Sequence, residues 1–262
     1  MRSKTFTRRD TLRILGLGTA YLAGGACMSC STKKRHIITL SFDDGFEKSS
    51  IETARIYEKY GLSASINVIA TAHEARFELP NEYHAWPAGD FALWNELKSR
   101  GHEIMPHTYK HADLAKLPLD EATGLMTKCF EVFLKELDGF RTEECIYNFA
   151  HNSSTPELEK WLEARVRAFR TAGGALNPLP YEGQQKLTCT SHGPENIDAH
   201  LGNTIDEFLE GPSGWMIYNT HGLDDEGWGP VSSSFLDELL DRLTGHETAE
   251  VLSVTRALDT AT

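Results

Sequence analysis

Basic side chains are scarce in this chain: 26 Lys and Arg stand against 38 Asp and Glu, a formal charge of −12 over 262 residues. A surface that acidic repels phosphate backbones and anionic lipid, so nucleic-acid binders and electrostatic membrane binders are set aside first. It also disfavours, more mildly, a strongly acidic polysaccharide. Long apolar runs are missing too. The one long uncharged stretch, Ile14 to Thr32, is diluted by Gly16, Gly18, Gly24 and Gly25. A spanning helix usually needs ~20 predominantly apolar residues, so an uncleaved membrane anchor is the lesser reading of this stretch. Of the five cysteines, Cys129, Cys145 and Cys189 lie beyond the first 35 residues, and these three lack zinc-pair spacing. An odd number leaves at least one thiol unpaired, and all three read as small buried residues. There is no internal repeat and no low-complexity run. What remains is one globular domain, with 40% hydrophobic residues and enough length for one substantial core.

The N-terminus reads as a processing signal. Thr7-Arg8-Arg9-Asp10-Thr11-Leu12-Arg13 resembles a twin-arginine export signal, with Thr11 where an aromatic is usual. Residues 1–35 are therefore expected to be an export leader and short linker, and 36–262 the folded domain. Cleavage is expected around Ala26, with lipid modification of Cys27 as the alternative. The expected location is the periplasm or cell surface, with membrane contact only through the leader or a lipid.

Two stretches carry the chemistry. In the first, the β-branched run His36-Ile37-Ile38-Thr39 predicts a short buried strand, and Leu40-Ser41-Phe42-Asp43-Asp44-Gly45 follows at its end. Adjacent aspartates repel, so a fold that fixes both at a strand tip needs a cation, a proton or open water beside them. Asp-Asp-Gly is also ordinary turn chemistry. The second stretch is Gly101-His102-Glu103-Ile104-Met105-Pro106-His107-Thr108-Tyr109-Lys110-His111. Histidines four apart share a face if the segment is helical, and both could then reach one ion with a carboxylate as third ligand. Two His and one Asp leave a coordination position open for water or substrate. His102 reads as a packed strand histidine.

Together these residues resemble the polysaccharide deacetylases, carbohydrate esterase family four. Ser41 to Gly45 matches the family's Thr/Ser-Phe-Asp-Asp-Gly motif. Gly101 to Ile104 with His107 to His111 matches its His-Ser/Thr-x-x-His motif after a Gly-His-Glu-Ile strand. The resemblance implies a divalent metal, zinc first, on Asp44, His107 and His111, with Asp43 as general base. Trp215 to Gly222 matches the strand ending in the family's acid histidine, here His221. The third motif is altered: Tyr147-Asn148-Phe149-Ala150-His151 has neither the proline nor the arginine usual there. Arg170, at the end of a strand predicted over Val166–Arg170, is the candidate replacement, though a strand-end arginine can equally be a solvated rim charge. Phe149 and Trp228 are the expected substrate contacts, with a backbone N–H near Phe149 or Ala150 for the oxyanion. The fourth motif, an aspartate and a tryptophan, has no clear match. His192, Asp198 and His200 follow in what reads as a loop, and Asp198, Asp224 and Asp225 are candidates to hold His221.

Helices are predicted over Glu47–Tyr60, Asp90–Arg100, Leu119–Gly139, Pro156–Ala164 and Phe235–Leu243, with strands between them. That alternation implies an α/β fold with a largely parallel sheet and a site at the C-terminal strand ends. The resemblance sharpens it to a distorted, incomplete (β/α) barrel. The irregular segment 71–89, with Tyr83, His84 and Trp86, offers aromatic faces for sugar rings or pins to the barrel rim. The implied function is metal-dependent removal of N-acetyl groups from sugar units of a poly- or oligosaccharide. The alternatives are hydrolysis of a small non-carbohydrate amide on the same fold, or a catalytically impaired carbohydrate-binding relic.

Overall fold

The computed structural model describes residues 33–77, 86–174 and 176–261, so the leader and the aromatics Tyr83 and His84 lie outside the described residues. Strand β1 (His36–Phe42) is buried at all seven positions, as expected of a strand covered on both faces. Along one edge it pairs in parallel with β8 (Gly214–Thr220) from His36↔Gly214 to Phe42↔Thr220. Its other edge is shared: residues 36–38 pair with β9 (Ala249–Val251), and 41–42 pair with β2 (Ser65–Val68). Beyond β2 lies β3 (Glu103–Pro106), again parallel. A second parallel sheet joins β4 (Ile146–Asn148), β5 (Ala168–Ala172) and β7 (Lys186–Cys189). The two sheets meet at a bridge between Thr190 and Tyr218, while β6 (Leu176–Asn177) runs antiparallel to β8.

The ring of strands is not closed. Between β3 and β4 no ladder forms, and the Ile146 N–H donates instead to the Met105 thioether at 3.4 Å. The architecture is therefore α/β with a mostly parallel, open barrel-like sheet.

Helices α1 (Glu47–Lys59), α2 (Phe91–Ser99), α3 (Leu119–Glu136), α4 (Pro156–Glu163), α5 (Ile197–Glu210), α6 (Ser233–Thr244) and α7 (Val254–Leu258) follow strands or loops in turn. Their apolar stripes explain them. In α3, Ala122, Leu125, Met126, Cys129, Phe130 and Phe133 are buried at three- and four-residue intervals. Asp90 caps α2 by accepting from the Leu93 N–H, and Thr155 caps α4, whose first residue is Pro156. Burial of each large side chain in this core contributes roughly 1.5–3 kcal/mol. The three cysteines are free and buried.

Residues 197–210 form α5 rather than a loop. Gly202 interrupts the apolar pattern there, and the helix forms because Ile197, Leu201, Ile205 and Phe208 have a core to enter. At the N-terminal end of the strands, the buried Glu103 accepts from the N–H groups of Val254 and Thr255 and from the Ser65 hydroxyl, tying α7 beneath the sheet. The C-terminal end is left for the site.

Candidate active site

Parallel strands bring their C-terminal ends to one rim, and six of them contribute side chains to a cleft of about 320 Å³ or to the layer directly beneath it. From the end of β1 come Asp43 and Asp44, followed by Gly45. Gly45 has φ of +73°, and a Cβ there would meet the Trp94 ring at 3.1 Å, so the chain leaves the strand through a turn that favours glycine. Histidine 107 follows β3 directly. His111 arrives by a different route from the one its spacing suggests: residues 107–111 form no helix. Thr108 and His111 sit at φ of 66° and 55°, and the His111 N–H donates to the Thr108 hydroxyl at 3.0 Å. Two left-handed residues, not helical periodicity, fold the second histidine back beside the first.

Asp44, His107 and His111 are buried, and their ligating atoms lie within 4.8 Å of one another, the one such cluster among the described residues. Asp44 Oδ1 is 3.3 Å from His111 Nε2 and 3.5 Å from His107 Nε2, and it has no hydrogen-bond partner. Ligands about 2.0–2.1 Å from a tetrahedral zinc ion stand about 3.3 Å apart, so these separations fit a cation among them. The electrostatics agree. Burial pushes both imidazoles down, to about 3 for His107 and about 4 for His111, leaving them neutral with lone pairs to donate. Burial, with the charge of Asp43 alongside, pushes Asp44 up to about 6, because without a cation its charge is poorly compensated. His107 is oriented by its Nδ1, which lies 3.2 Å from the Asn148 carbonyl and leaves Nε2 facing Asp44.

Asp43 is held in the opposite state. Its Oδ1 accepts from Asn67 Nδ2 at 2.7 Å and Arg170 Nη1 at 3.0 Å, and its Oδ2 from Arg170 Nη2 and Asn219 Nδ2, each at 2.5 Å. Burial works against its ionisation, but the Arg170 guanidinium and neighbouring His107 outweigh that and hold it below the usual carboxylate range. Arg170 lies inside β5, fully buried, and is not a rim charge. It also donates to the Ser41 hydroxyl at 2.6 Å.

His221 follows β8 and faces the same cleft with Trp228, their rings edge to face at 5.3 Å. Its Nδ1 has no hydrogen-bond partner. The three acids considered for it are engaged elsewhere: Asp198 accepts from the Ser232 N–H and hydroxyl, Asp224 from the Ser233 N–H, and Asp225 pairs with Lys48. The loop carrying His221 and Trp228 is fastened by Glu226 instead. This buried carboxylate accepts from the Ser49 N–H and hydroxyl, both at 2.7 Å, and Ser49 in turn accepts from the Leu223 N–H. A Cβ at Gly222 would lie 2.2 Å from the Glu226 carbonyl, so the loop closes only over glycine. A roomier depression of about 590 Å³, lined by Lys48, Ile51, Pro87 and Leu223 among others, adjoins this loop, but Asp43, Asp44 and the histidines do not line it.

Phe149 is not a substrate contact. Its side chain is fully buried among Tyr147 and Phe169, and its N–H is spent on the Arg170 carbonyl. Past the strand the extended backbone ends in a turn with His151 left-handed at φ 56°, so Phe149 stays in the core while His151 reaches the cleft. Trp86 packs edge-on against Phe46. His192 and His200 stack on each other at 3.9 Å, with His200 bonded to the Tyr218 hydroxyl, and neither lines the cleft. His102 is packed, accepting from the Ala64 N–H and lying 3.1 Å from Glu58.

Asn67, Asn148 and Asn219 were not singled out from the sequence, yet each borders the site. Their signal is shared: a lone amide near the C-terminal end of an otherwise apolar or small-residue strand, where a buried polar group demands a partner. Around the same rim gather left-handed non-glycine residues. Asp44, Thr108, His111, His151 and Asn152 are five of the seven with clearly positive φ among the described residues.

A family model described as polysaccharide deacetylase matches residues 31–191. No curated protein sequence matches the chain significantly. Among solved structures, the fold is similar to that of a putative polysaccharide deacetylase from Mycobacterium smegmatis, at 12% identity and a TM-score of 0.66, covering 88% of this chain and 92% of that one. It is also similar to the peptidoglycan deacetylase PdaC from Bacillus subtilis, at 15% identity and a TM-score of 0.54 over 87% and 91%. A family 4 acetyl xylan esterase from Clostridium thermocellum, solved with a cobalt ion, shares 16% identity and a TM-score of 0.57 over 85% and 90%.

Proposed function

This chain belongs to the polysaccharide deacetylase family, and from that premise we propose that it is a divalent-metal-dependent hydrolase removing N-acetyl groups from sugar units of a poly- or oligosaccharide. The observation that carries this reading is the pairing of a carboxylate held ionised, Asp43, with a three-ligand cluster, Asp44, His107 and His111, in one cleft. A chain that needed a cation only for structure would have no use for the first. Zinc is our choice of metal, since two imidazoles and a carboxylate form a set it takes with a position left open. We also propose, from the resemblance of the stretch around Arg8 and Arg9 to an export signal, that the protein works outside the cytoplasm, in the periplasm or at the cell surface.

A cation so held would supply Lewis acidity toward an acyl carbonyl and an attacking water. Asp43 takes the water's proton. Its acceptor positions are already filled by four hydrogen bonds, so one donor must yield as the proton arrives, and Asn219, on the cleft side, is the one free to do so. Arg170 stays behind the carboxylate and keeps it charged between turnovers. An amide nitrogen does not leave as an anion at useful rates, so a ring nitrogen of His221 delivers a proton to it. Trp228, set edge to face with His221 in the cleft, offers an aromatic ring to the sugar.

The test is acetate release from a panel of N-acetylated and O-acetylated glycans by the zinc-loaded protein, beside Asp43→Asn. We expect release from N-acetylated members, with Asp43→Asn retaining zinc but losing about 10²–10⁴-fold in rate. Zinc-loaded wild type that releases no acetate from any of them would overturn the reading.

A further inference from the structure

The two histidines of the cluster are supported unequally. His107 has an acceptor for its Nδ1 in the Asn148 carbonyl, at 3.2 Å. His111 has none: with Nε2 turned to Asp44, its Nδ1 is buried without a hydrogen-bond partner. A buried imidazole N–H left unmet is costly and leaves the ring poorly oriented, and metal-binding histidines almost always have such a partner. Something else must fix this ring.

His151 is the group placed to do so. Its ring lies against that of His111, with centroids 4.6 Å apart and planes inclined by 56°. It also reaches the backbone carbonyl of His111. On the other side, the His111 N–H is already tied to the Thr108 hydroxyl at 3.0 Å. The backbone of His111 is thus tied at its N–H and approached by His151 at its carbonyl, and its imidazole packs at a tilt against a second aromatic ring. Such a ring can receive an N–H weakly where no oxygen is available. His151 is itself brought there by backbone at φ 56°, ψ 13°, followed by Asn152 at φ 48°. Such conformations are uncommon outside glycine and gather where position matters more than ease.

We propose that His151 is a positioning residue for the cation site, fixing His111 as a ligand from the open side of the cleft without itself being a ligand. Its nitrogens fall outside the three-residue cluster, and the residue is exposed, so it supports the site from the solvent side as Asn148 supports His107 from the core. The inference rests on the cluster binding a cation, and its test measures that binding directly.

The experiment compares wild type, His151→Ala and His151→Phe by chelator competition for Zn²⁺ and by the visible absorption of the Co²⁺-loaded proteins. Substrate is absent throughout. Loss of an orienting partner typically costs about 10–100-fold in metal affinity, which is the loss expected for His151→Ala, together with an altered Co²⁺ spectrum. His151→Phe keeps the aromatic cover but not the reach to the carbonyl, so it should recover part of the loss. Metal-free melting temperatures of the three proteins should agree, since His151 is exposed and outside the core. Equal Zn²⁺ affinity in all three, with wild type binding, overturns the inference and leaves the proposed function standing. A wild type that binds neither ion overturns both.

Discussion

Asp43 and His221 face one cleft from neighbouring strands, and they are held in opposite ways. Asp43 is enclosed by Asn67, Arg170 and Asn219, from three different strands, with four hydrogen bonds on two oxygens. His221 has a ring nitrogen with no partner, an aromatic ring set edge to face beside it, and a loop whose anchor lies five residues on, at Glu226. The first group has its charge state fixed by the protein. The second is left to be completed by what enters the cleft. A base beside a metal site must stay ionised through every turnover, whereas an acid must take up and release its proton and so profits from solvent contact.

If the enclosure around Asp43 is what keeps it charged, removing its cation is the most damaging single change. Arg170→Met leaves a buried carboxylate alone, and breaking a buried pair in this way costs roughly 3–5 kcal/mol. Denaturant titration should show that loss, with deacetylation abolished. A variant as stable as wild type would mean that Asp43 draws its stabilisation from the asparagines instead.

The other side of the comparison predicts a chemical rather than a structural loss. His221→Ala should fold normally, since the side chain has no partner at Nδ1, and should keep its metal. Hydrolysis of an unactivated acetamide should fall about 10²–10⁴-fold, while an ester with a good leaving group, which needs little protonation, should be nearly spared. Equal losses on the two substrates would make His221 a binding residue.

A smaller effect separates Asp43 from its own neighbour Asp44. In the metal-free protein both ligand histidines are neutral well below pH 6, while Asp44, raised to about 6, still carries a proton there. A cation entering below about pH 6 therefore displaces one proton, from Asp44, and above it none. Metal affinity should rise about tenfold per pH unit up to about pH 6 and then level. Unperturbed histidines would add up to two protons to the one from Asp44 and give a steeper slope, approaching three. Chelator competition across that range reads the slope, and a value well above one would show that the histidines are not neutral beforehand.

The fold was largely legible because long periodic segments such as Leu119–Glu136 and the buried run His36–Phe42 carry strong local signals. Residues 197–210 were not, since Gly202 and scattered polar residues weaken the period and tertiary burial supplies what it lacks. In the site, the paired aspartates and spaced histidines stood out as charged or ligating groups in apolar surroundings. The route to His111 did not, because spacing of four reads as a helix and nothing local marks Thr108 as left-handed. Phe149 and His151 were exchanged for the same reason: past the end of a strand, alternation no longer tells which side chain turns inward. Arg170 was found as a residue but not as a buried one, for its pairing with Asp43 spans 127 positions of sequence.

The left-handed residues around the rim bear on how such a protein can change over time. A non-glycine residue in that conformation costs on the order of 1–3 kcal/mol, least for Asp and Asn and most for a branched residue such as Thr108. Glycine at any of these places would relieve the conformational cost, but at Thr108 it would also remove the hydroxyl that accepts from the buried His111 N–H. Five such residues beside one cleft put conformational cost where the site is built, so a thermostability screen without an activity assay would be expected to work on this rim first.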